Sequence, residues 1–203
     1  MSADRALATN ANSQRHAALV AEACRRIDAA EQAPSLDELA EQAGLSPHHF
    51  HRVFKAVTGL TPKAYADAQR AKAVRAGLAS GRGSVTEAIF EAGYNASSRF
   101  YEQAEAVLGM QPRQYRGGGV DARIMFALAQ TSLGALLVAR SDKGVCAITL
   151  GDDPDLLLRE LQDRFPRAGL IGGDAAFERL VAQVVGLIEA PGMSGRSAAA
   201  KSG

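Results

Sequence analysis

The sequence predicts an all-helical region that contains two copies of one helix-pair motif, followed by a small three-stranded antiparallel sheet with two helices. Three observations lead to this fold class. Apolar residues recur at helical spacing through residues 14–117, with capping signals at the helix starts. One stretch of that region returns about 50 residues downstream. After three successive glycines, the pattern changes to short strands and then to two amphipathic helices.

The first helix pair begins at Ser35 and Glu38, which have the spacing of a capping box. Gly44 supplies the left-handed backbone that ends a helix. Ser46 and Pro47 then suit the N-cap and the first position of a second helix. Two short helices joined by a tight, glycine-containing turn form a helix-turn-helix, a motif that places its second helix in the major groove of DNA. The stretch therefore predicts DNA binding.

The same motif occurs a second time. Ser84 follows Ser35 by 49 residues, and Phe100 follows Phe50 by 50 residues, so the second turn contains one inserted residue. We predict that Asn95 repeats the N-cap of Ser46. The other repeated positions are Glu87, Gly93, Gly109, Pro112 and Tyr115. A duplication of caps, turn and apolar positions together is stronger evidence than either copy alone. Residues 62–78 form a predicted helix between the two motifs.

Charge is distributed unevenly along the chain. The net charge of the 203 residues is only +1, but residues 45–116 carry ten Lys/Arg and five Asp/Glu. This local excess is typical of a surface that contacts phosphates. No apolar run has membrane-spanning length, and no signal peptide is evident, so we expect a cytoplasmic protein without a membrane partner. Cys24 and Cys146 form neither a disulfide framework nor a metal-ligand set, and no cofactor is indicated.

The candidate DNA contacts are the polar residues left over once the apolar face of each second helix is assigned to the core. Guanidinium groups pair with guanine in the major groove, and histidines donate to or accept from base edges. The predicted base-contacting residues are His48, His51, Arg52, Ser97, Ser98, Tyr101 and Glu102. The predicted phosphate-contacting residues are Lys55, Arg99, Arg113 and Arg116. The acidic Glu102 makes the second helix the weaker base reader.

The remaining segments complete the predicted organisation. Strands are expected at residues 123–130, 134–139 and 145–150, and helices at 154–165 and 174–188. The predicted domain bounds are 1–13 (disordered), 14–117 (double helix-turn-helix), 118–121 (flexible linker), 122–190 (sheet with two helices) and 191–203 (disordered tail). On the last helix, Leu187 is assigned to the apolar side. No catalytic residue is assigned.

The sequence allows three other interpretations. Helix-turn-helix geometry also occurs in purely structural bundles, although the repeat and the basic excess argue against that here. His48 and His51 share a helical face beside His49, but no carboxylate or thiolate lies at a useful spacing, so no metal is expected. Thirdly, the open edge of the predicted sheet could bind another chain, which would appear as concentration-dependent association.

The motifs support a family resemblance. AGLSPHHFHRVFKAVTGLTPKAY and EAGYNASSRFYEQAEAVLGMQPRQYR resemble the two halves of an AraC-type DNA-binding domain. LVARSDKGVCAITLGDD resembles the start of the alkyltransferase portion of Ada-type regulators. The resemblance implies a ribonuclease-like subdomain, the N-terminal part of a methylated-DNA–protein-cysteine methyltransferase, for residues 122–190. It also places the predicted base contacts at family contact positions, although members often carry a basic residue where Glu102 stands.

The resemblance also implies what this sequence lacks. Ada-type proteins carry a zinc-binding domain with four cysteines and a later acceptor cysteine in a Pro-Cys-His-Arg block, and neither is present. We therefore expect a chain truncated at both ends or frameshifted, with methyltransferase activity as the alternative function and Cys146 unreactive. The expected function is an alkylation-response regulator that binds two successive major-groove segments of promoter DNA as a monomer, with RNA polymerase as a further candidate partner.

Overall fold

The computed structural model describes residues 2–30 and 32–189, and their side chains from residue 11 onward. Its helices are α1 (Ser2–Ala29), α2 (Leu36–Gln42), α3 (Pro47–Thr58), α4 (Pro62–Ala79), α5 (Val85–Glu91), α6 (Ser97–Leu108), α7 (Pro112–Arg116), α8 (Pro154–Arg164) and α9 (Ala175–Glu189). Its strands are β1 (Arg123–Thr131), β2 (Gly134–Arg140), β3 (Val145–Gly151) and β4 (Gly169–Gly172). In this part of the chain, no helix is long and apolar enough to cross a membrane.

The chain divides into two compact units. The first comprises Met1–Val74 and Ile89–Asn95, and the second comprises Arg75–Ala88 and Ala96–Gly203. The first unit packs α1, α2 and α3 around one apolar core. That core consists of Val20, Ala23, Ile27, Leu39, Ala40, Phe50, Val53, Phe54 and Ala66. The predicted apolar faces of the first helix pair therefore meet as the helical spacing required.

The second unit contains a mixed four-stranded sheet in the order β3-β2-β1-β4. β1 pairs antiparallel with β2, from Met125 opposite Arg140 to Thr131 opposite Gly134. β2 pairs antiparallel with β3. The prediction of a three-stranded antiparallel sheet was wrong in one respect, because β4 adds to β1 in parallel. A parallel neighbour needs a crossover connection, which α8 supplies between β3 and β4.

Helices cover both faces of the sheet. On one face, Leu136 and Val138 of β2 pack with Phe177 and Val181 of α9. On the other, Leu137 of β2 lies beside α8, whose Leu157 and Leu161 are buried. Alternate residues of β2 thus point to opposite layers. Leu187, which the sequence assigned to the apolar side of α9, is instead 70% exposed.

Three predicted segments differ from the structure or lie outside it. Disorder was predicted for residues 1–13, whereas α1 begins at Ser2; alanine favours helix, and a helix propagates readily once nucleated. The predicted flexible linker is hydrogen-bonded, since the Gly119 N–H donates to the Gln114 carbonyl (2.9 Å) and the Gly118 carbonyl accepts from the Arg167 N–H (3.0 Å). The predicted tail at residues 191–203 lies outside the described residues.

Candidate nucleic-acid interface

The first candidate recognition helix, α3, is held at both ends by its own sequence. The Ser46 hydroxyl accepts from the His49 N–H (3.3 Å), and Pro47 occupies the first turn. Gly59 ends the helix in a left-handed conformation with φ +79°. Phe50 and Phe54 are fully buried on its inner side. The start, the end and the buried face of α3 together determine which side chains reach solvent.

The polar face of α3 carries the predicted contacts of the first motif. His48, Arg52 and Lys55 are exposed, as a DNA-contacting role requires. His51 is only half-buried and lies at the rim of a cleft of about 550 Å³, together with Thr61 and Lys63. Thus three of the four predicted contact residues of α3 are exposed, while His51 is half-buried near the start of α4.

The second candidate recognition helix, α6, has a different start. Its N-cap is Ala96, which makes no side-chain capping hydrogen bond, so the prediction of Asn95 as the cap was wrong. The inserted residue lies before the cap, which leaves an alanine at the position equivalent to Ser46. The Ser84–Glu87 capping box is present, with the Glu87 N–H donating to the Ser84 hydroxyl at 3.1 Å.

Most of the predicted contact residues of α6 are exposed. Phe100, Ala104 and Leu108 are buried on its inner side. Ser98, Arg99 and Glu102 are exposed, Tyr101 is 42% exposed, and Ser97 is half-buried. The periodicity of α6 therefore assigned these faces correctly, although its cap was misplaced.

Two predicted phosphate contacts share one cleft with a predicted base contact. Arg113, Arg116 and Tyr101 line a cleft of about 540 Å³ in the second unit. Ser84 and Thr86 line it as well, although the sequence pattern predicts no contact role for either residue. Arg116 Nη2 donates to the Gly81 carbonyl (3.1 Å), which orients the guanidinium. No local pattern indicates that Thr86 joins this cleft, because its place there depends on packing between helices.

Among the residues that the structure describes, no carboxylate forms an ion pair with Arg52, Lys55, Arg99, Arg113 or Arg116. Within the described residues, the ion pairs are Arg25–Glu22, Arg70–Asp67 and Lys143–Glu105. Each predicted DNA-contacting cation is therefore free of an intramolecular ion pair in this part of the chain. A cation without an internal partner remains available to an external phosphate.

Two cysteines bear on the alternative chemistry. Cys146 is fully buried in β3, and burial raises the pKa of its thiol to about 11. Burial also raises the pKa of the half-buried Cys24. Both thiols are therefore protonated at neutral pH, which makes them poor nucleophiles. No group of three or more potential metal ligands occurs among the residues that the structure describes.

Comparison with known proteins identifies relatives over most of the chain. Residues 39–118 match the family described as "Helix-turn-helix domain". The bifunctional transcriptional activator/DNA repair enzyme Ada of Escherichia coli (strain K12) is 44% identical over 176 residues, which are 86% of this chain and 49% of that protein. The regulatory protein ada of Salmonella typhimurium is 43% identical over 175 residues, again 86% and 49%.

A further relative matches a shorter part of the chain. The melibiose operon regulatory protein of Escherichia coli is 36% identical over 86 residues, which are 42% of this chain and 28% of that protein. The chain spans about half the length of the two Ada relatives. Identity above 40% over 86% of its length, together with the repeated helix-turn-helix motif, shows that this chain is homologous to these two Ada proteins over the part that it shares with them.

Proposed function

We propose that this chain is a sequence-specific DNA-binding transcription regulator of the Ada type. The observation that carries the proposal is the pair of helices α3 and α6, each with a buried apolar face and an exposed polar face. The relatives' names support it, since one is a transcriptional activator and two are regulatory proteins. An alkylation response is part of the proposal and is suggested by the sequence resemblance to Ada-type regulators, of which one relative is named a DNA repair enzyme.

The base contacts are divided between the two helices. On α3, Arg52 pairs with a guanine, while His48 and His51 contact neighbouring base edges. On α6, Ser97, Ser98, Tyr101 and Glu102 face the bases. Glu102 is suited to the amino group of cytosine, but its charge opposes the phosphates, so the α6 half-site contributes less affinity.

The phosphate contacts set the register of the protein on the duplex. Lys55 and Arg99 lie on the polar faces of the recognition helices, and Arg113 and Arg116 lie in the cleft beside Tyr101. The cleft is open and contains two guanidinium groups, which suits a backbone phosphate. Such contacts add affinity without sequence preference.

The repeat allows one chain to occupy an asymmetric site. Recognition helices in successive major-groove segments are about 34 Å apart. We infer binding as a monomer to promoter DNA, with RNA polymerase as a further partner. Residues 14–117 supply the DNA-binding domain, 118–121 the connection, and 122–190 a ribonuclease-like subdomain of the methyltransferase type.

Selection from a random duplex pool, followed by fluorescence anisotropy across a salt series, tests the proposal. We expect a selected site with two blocks of preferred bases about one helical turn apart. Arg52→Ala should weaken binding by about 1–3 kcal/mol and relax preference at one base pair. Weak binding that is equal for all sequences and lost at moderate salt would contradict the proposal.

Arg113→Ala serves as the matched control, since it removes the same functional group from a predicted phosphate contact. It should weaken all duplexes alike and reduce the slope of log affinity against log salt by about 1. A change of base preference in Arg113→Ala would instead assign this arginine to base recognition.

A further inference from the structure

The C-terminal end of α6 is packed against the turn that joins β2 to β3. Both elements belong to the second unit. Glu105, in the last turn of α6, lies 3.8 Å from Lys143 Nζ and accepts from Gln111 Nε2 at 3.0 Å. Thus α6 carries both the predicted DNA-contacting residues and Glu105, which contacts the turn between β2 and β3.

Gly109, the C-cap of α6, lies directly against the backbone of the turn between β2 and β3. Its backbone is left-handed, with φ +70°. A Cβ at this position would lie 2.6 Å from the Gly144 carbonyl oxygen and 2.9 Å from the Cys146 nitrogen. Both neighbours are backbone atoms of the turn and the start of β3, so they cannot rotate away as a flexible side chain would. Only glycine allows the helix end to approach the sheet this closely.

Ser141 completes the contact between the end of α6 and the turn between β2 and β3. It is 1% exposed, and its hydroxyl donates to the Gly109 carbonyl. The same hydroxyl accepts from the Lys143 N–H at 2.9 Å, while the Ser141 N–H donates to the Gly144 carbonyl at 2.9 Å. One serine therefore organises the turn and satisfies a helix-end carbonyl that is buried with Gly109.

Within the described part of the chain, the first motif has no such contact at the end of its second helix. Gly59 is the counterpart of Gly109 in the sequence repeat, and it ends α3 with nearly the same backbone, φ +79°. A Cβ on Gly59 would meet nothing within 4 Å. The two glycines therefore carry the same requirement for left-handed backbone, but only Gly109 is enclosed by another part of the chain.

We propose that the turn between β2 and β3, acting through Ser141 and Gly109, positions α6 for DNA recognition. Ser141 and Gly109 are positioning residues, since neither is placed to contact a base. The sheet region is then a required part of the second DNA-binding motif and not an independent appendage. This inference rests on the proposed function, because it assigns a consequence to the α6 half of the DNA site.

Gly109→Ala and Gly59→Ala form the test pair, measured on the selected duplex and on versions with either half-site scrambled. In both variants, alanine is placed in a left-handed backbone conformation, so the backbone strain is similar. We expect Gly109→Ala to lose about tenfold or more in affinity through the α6 half-site, because misplaced base contacts act like mismatches. The loss should disappear when that half-site is scrambled. Gly59→Ala should stay within about threefold of the unmodified chain.

Ser141→Ala provides a second variant in case Gly109→Ala fails to fold, and it should show the same half-site pattern. Lys143→Ala, which removes only an exposed ion pair, should leave affinity unchanged. Equal losses in Gly109→Ala and Gly59→Ala, or a loss spread over both half-sites, would overturn the inference.

Hydrogen exchange tests the positioning without DNA. Amides of α6 should exchange faster in Gly109→Ala and Ser141→Ala, while those of α3 keep their rates. Unchanged exchange along α6 would overturn the inference even if the chain binds DNA. Conversely, faster α6 exchange in a chain that binds no duplex would refute the proposed function and leave the positioning by the turn supported.

Discussion

Cys146 shows how a single residue can be assigned by its surroundings. It lies in β3 with no exposed surface. Desolvation is the largest cause of its raised pKa, and hydrogen bonds from its own N–H and that of Ala147 oppose the rise only in part. Its thiol therefore acts as a small apolar group in the core and stays protonated over the physiological range.

This burial predicts an alkaline loss of stability. The folded pKa of Cys146 is about 11 against an ordinary value of 9.0. The unfolded chain releases the proton first, so the stabilisation is complete below pH 9 and is lost as pH rises toward 11. We expect a fall of roughly 2–3 kcal/mol in the free energy of unfolding from this group. Urea denaturation at several pH values measures it.

Cys146→Ala is the control for that measurement. The pKa values of Tyr65, Tyr115 and Cys24 are also raised by burial, and these groups are retained in the variant. The difference between the two pH profiles therefore isolates the Cys146 thiol. Profiles that run parallel from pH 7 to 11 would show that the thiol ionises in the folded chain as easily as in water.

Among the helices, the starts of α2 and α6 make a natural comparison. In α2, the Ser35 hydroxyl accepts from the Glu38 N–H, and the Glu38 carboxylate accepts from the Ser35 N–H. The hydrogen bonds that the Glu38 carboxylate accepts from the Ser35 N–H and from the Ser35 hydroxyl hold the pKa of Glu38 below its usual value. The contribution of the Glu38 carboxylate is therefore present at neutral pH and lost as pH falls through its folded pKa.

Opposite substitutions at the two caps should have opposite effects. Ser35→Ala removes an acceptor and should cost about 1 kcal/mol of stability. Ala96→Ser supplies one to α6, whose N-cap already has the extended backbone that capping needs (φ −148°, ψ 130°), and should stabilise by about 0.5–1 kcal/mol. Thermal or urea unfolding measures both. A destabilising Ala96→Ser would show that the half-buried site cannot accept a hydroxyl.

Local patterns predicted the elements whose signal lies within their own sequence. The strands β1, β2 and β3 begin at Arg123, Gly134 and Val145 as expected, because turn residues bound each apolar run. β4 was missed, since four residues with glycine at each end show no alternation. Its pairing depends on the distant β1, which no local pattern reveals.

The candidate interface was predictable to a similar extent. Periodicity placed Phe50 and Phe100 inside, and therefore Arg52 and Ser98 outside. It could not indicate that His51 lines a cleft or that Thr86 joins Arg113, because these depend on packing between helices. Nor could it show the contact between Gly109 and Gly144, which joins residues far apart in the chain.

For the whole molecule, the distribution of charge says more than the total. The net charge of +1 conceals an excess of basic residues over residues 45–116. The candidate contact cations in that region have no intramolecular ion pair among the described residues. A nearly neutral chain can therefore still present an unneutralised basic surface to DNA.

The cysteines of the whole chain determine the last prediction, which concerns methyl transfer from DNA. A thiolate would attack the methyl carbon of O6-methylguanine, forming a thioether and releasing unmodified guanine in the duplex. The chain has two cysteines, Cys24 and Cys146, and burial raises the pKa of both thiols. We expect neither to accept a methyl group from a labelled duplex at neutral pH.

Peptide mass spectrometry after incubation with the labelled duplex makes the measurement. Alkylation with iodoacetamide in denaturant, where both thiols are accessible, is the control that both peptides can be detected. The two thiols also differ in the folded chain, since Cys24 is half-buried and Cys146 is fully buried. A methyl group on Cys146 would require β3 to open and the thiol to ionise, and it would establish a repair activity in place of regulation alone.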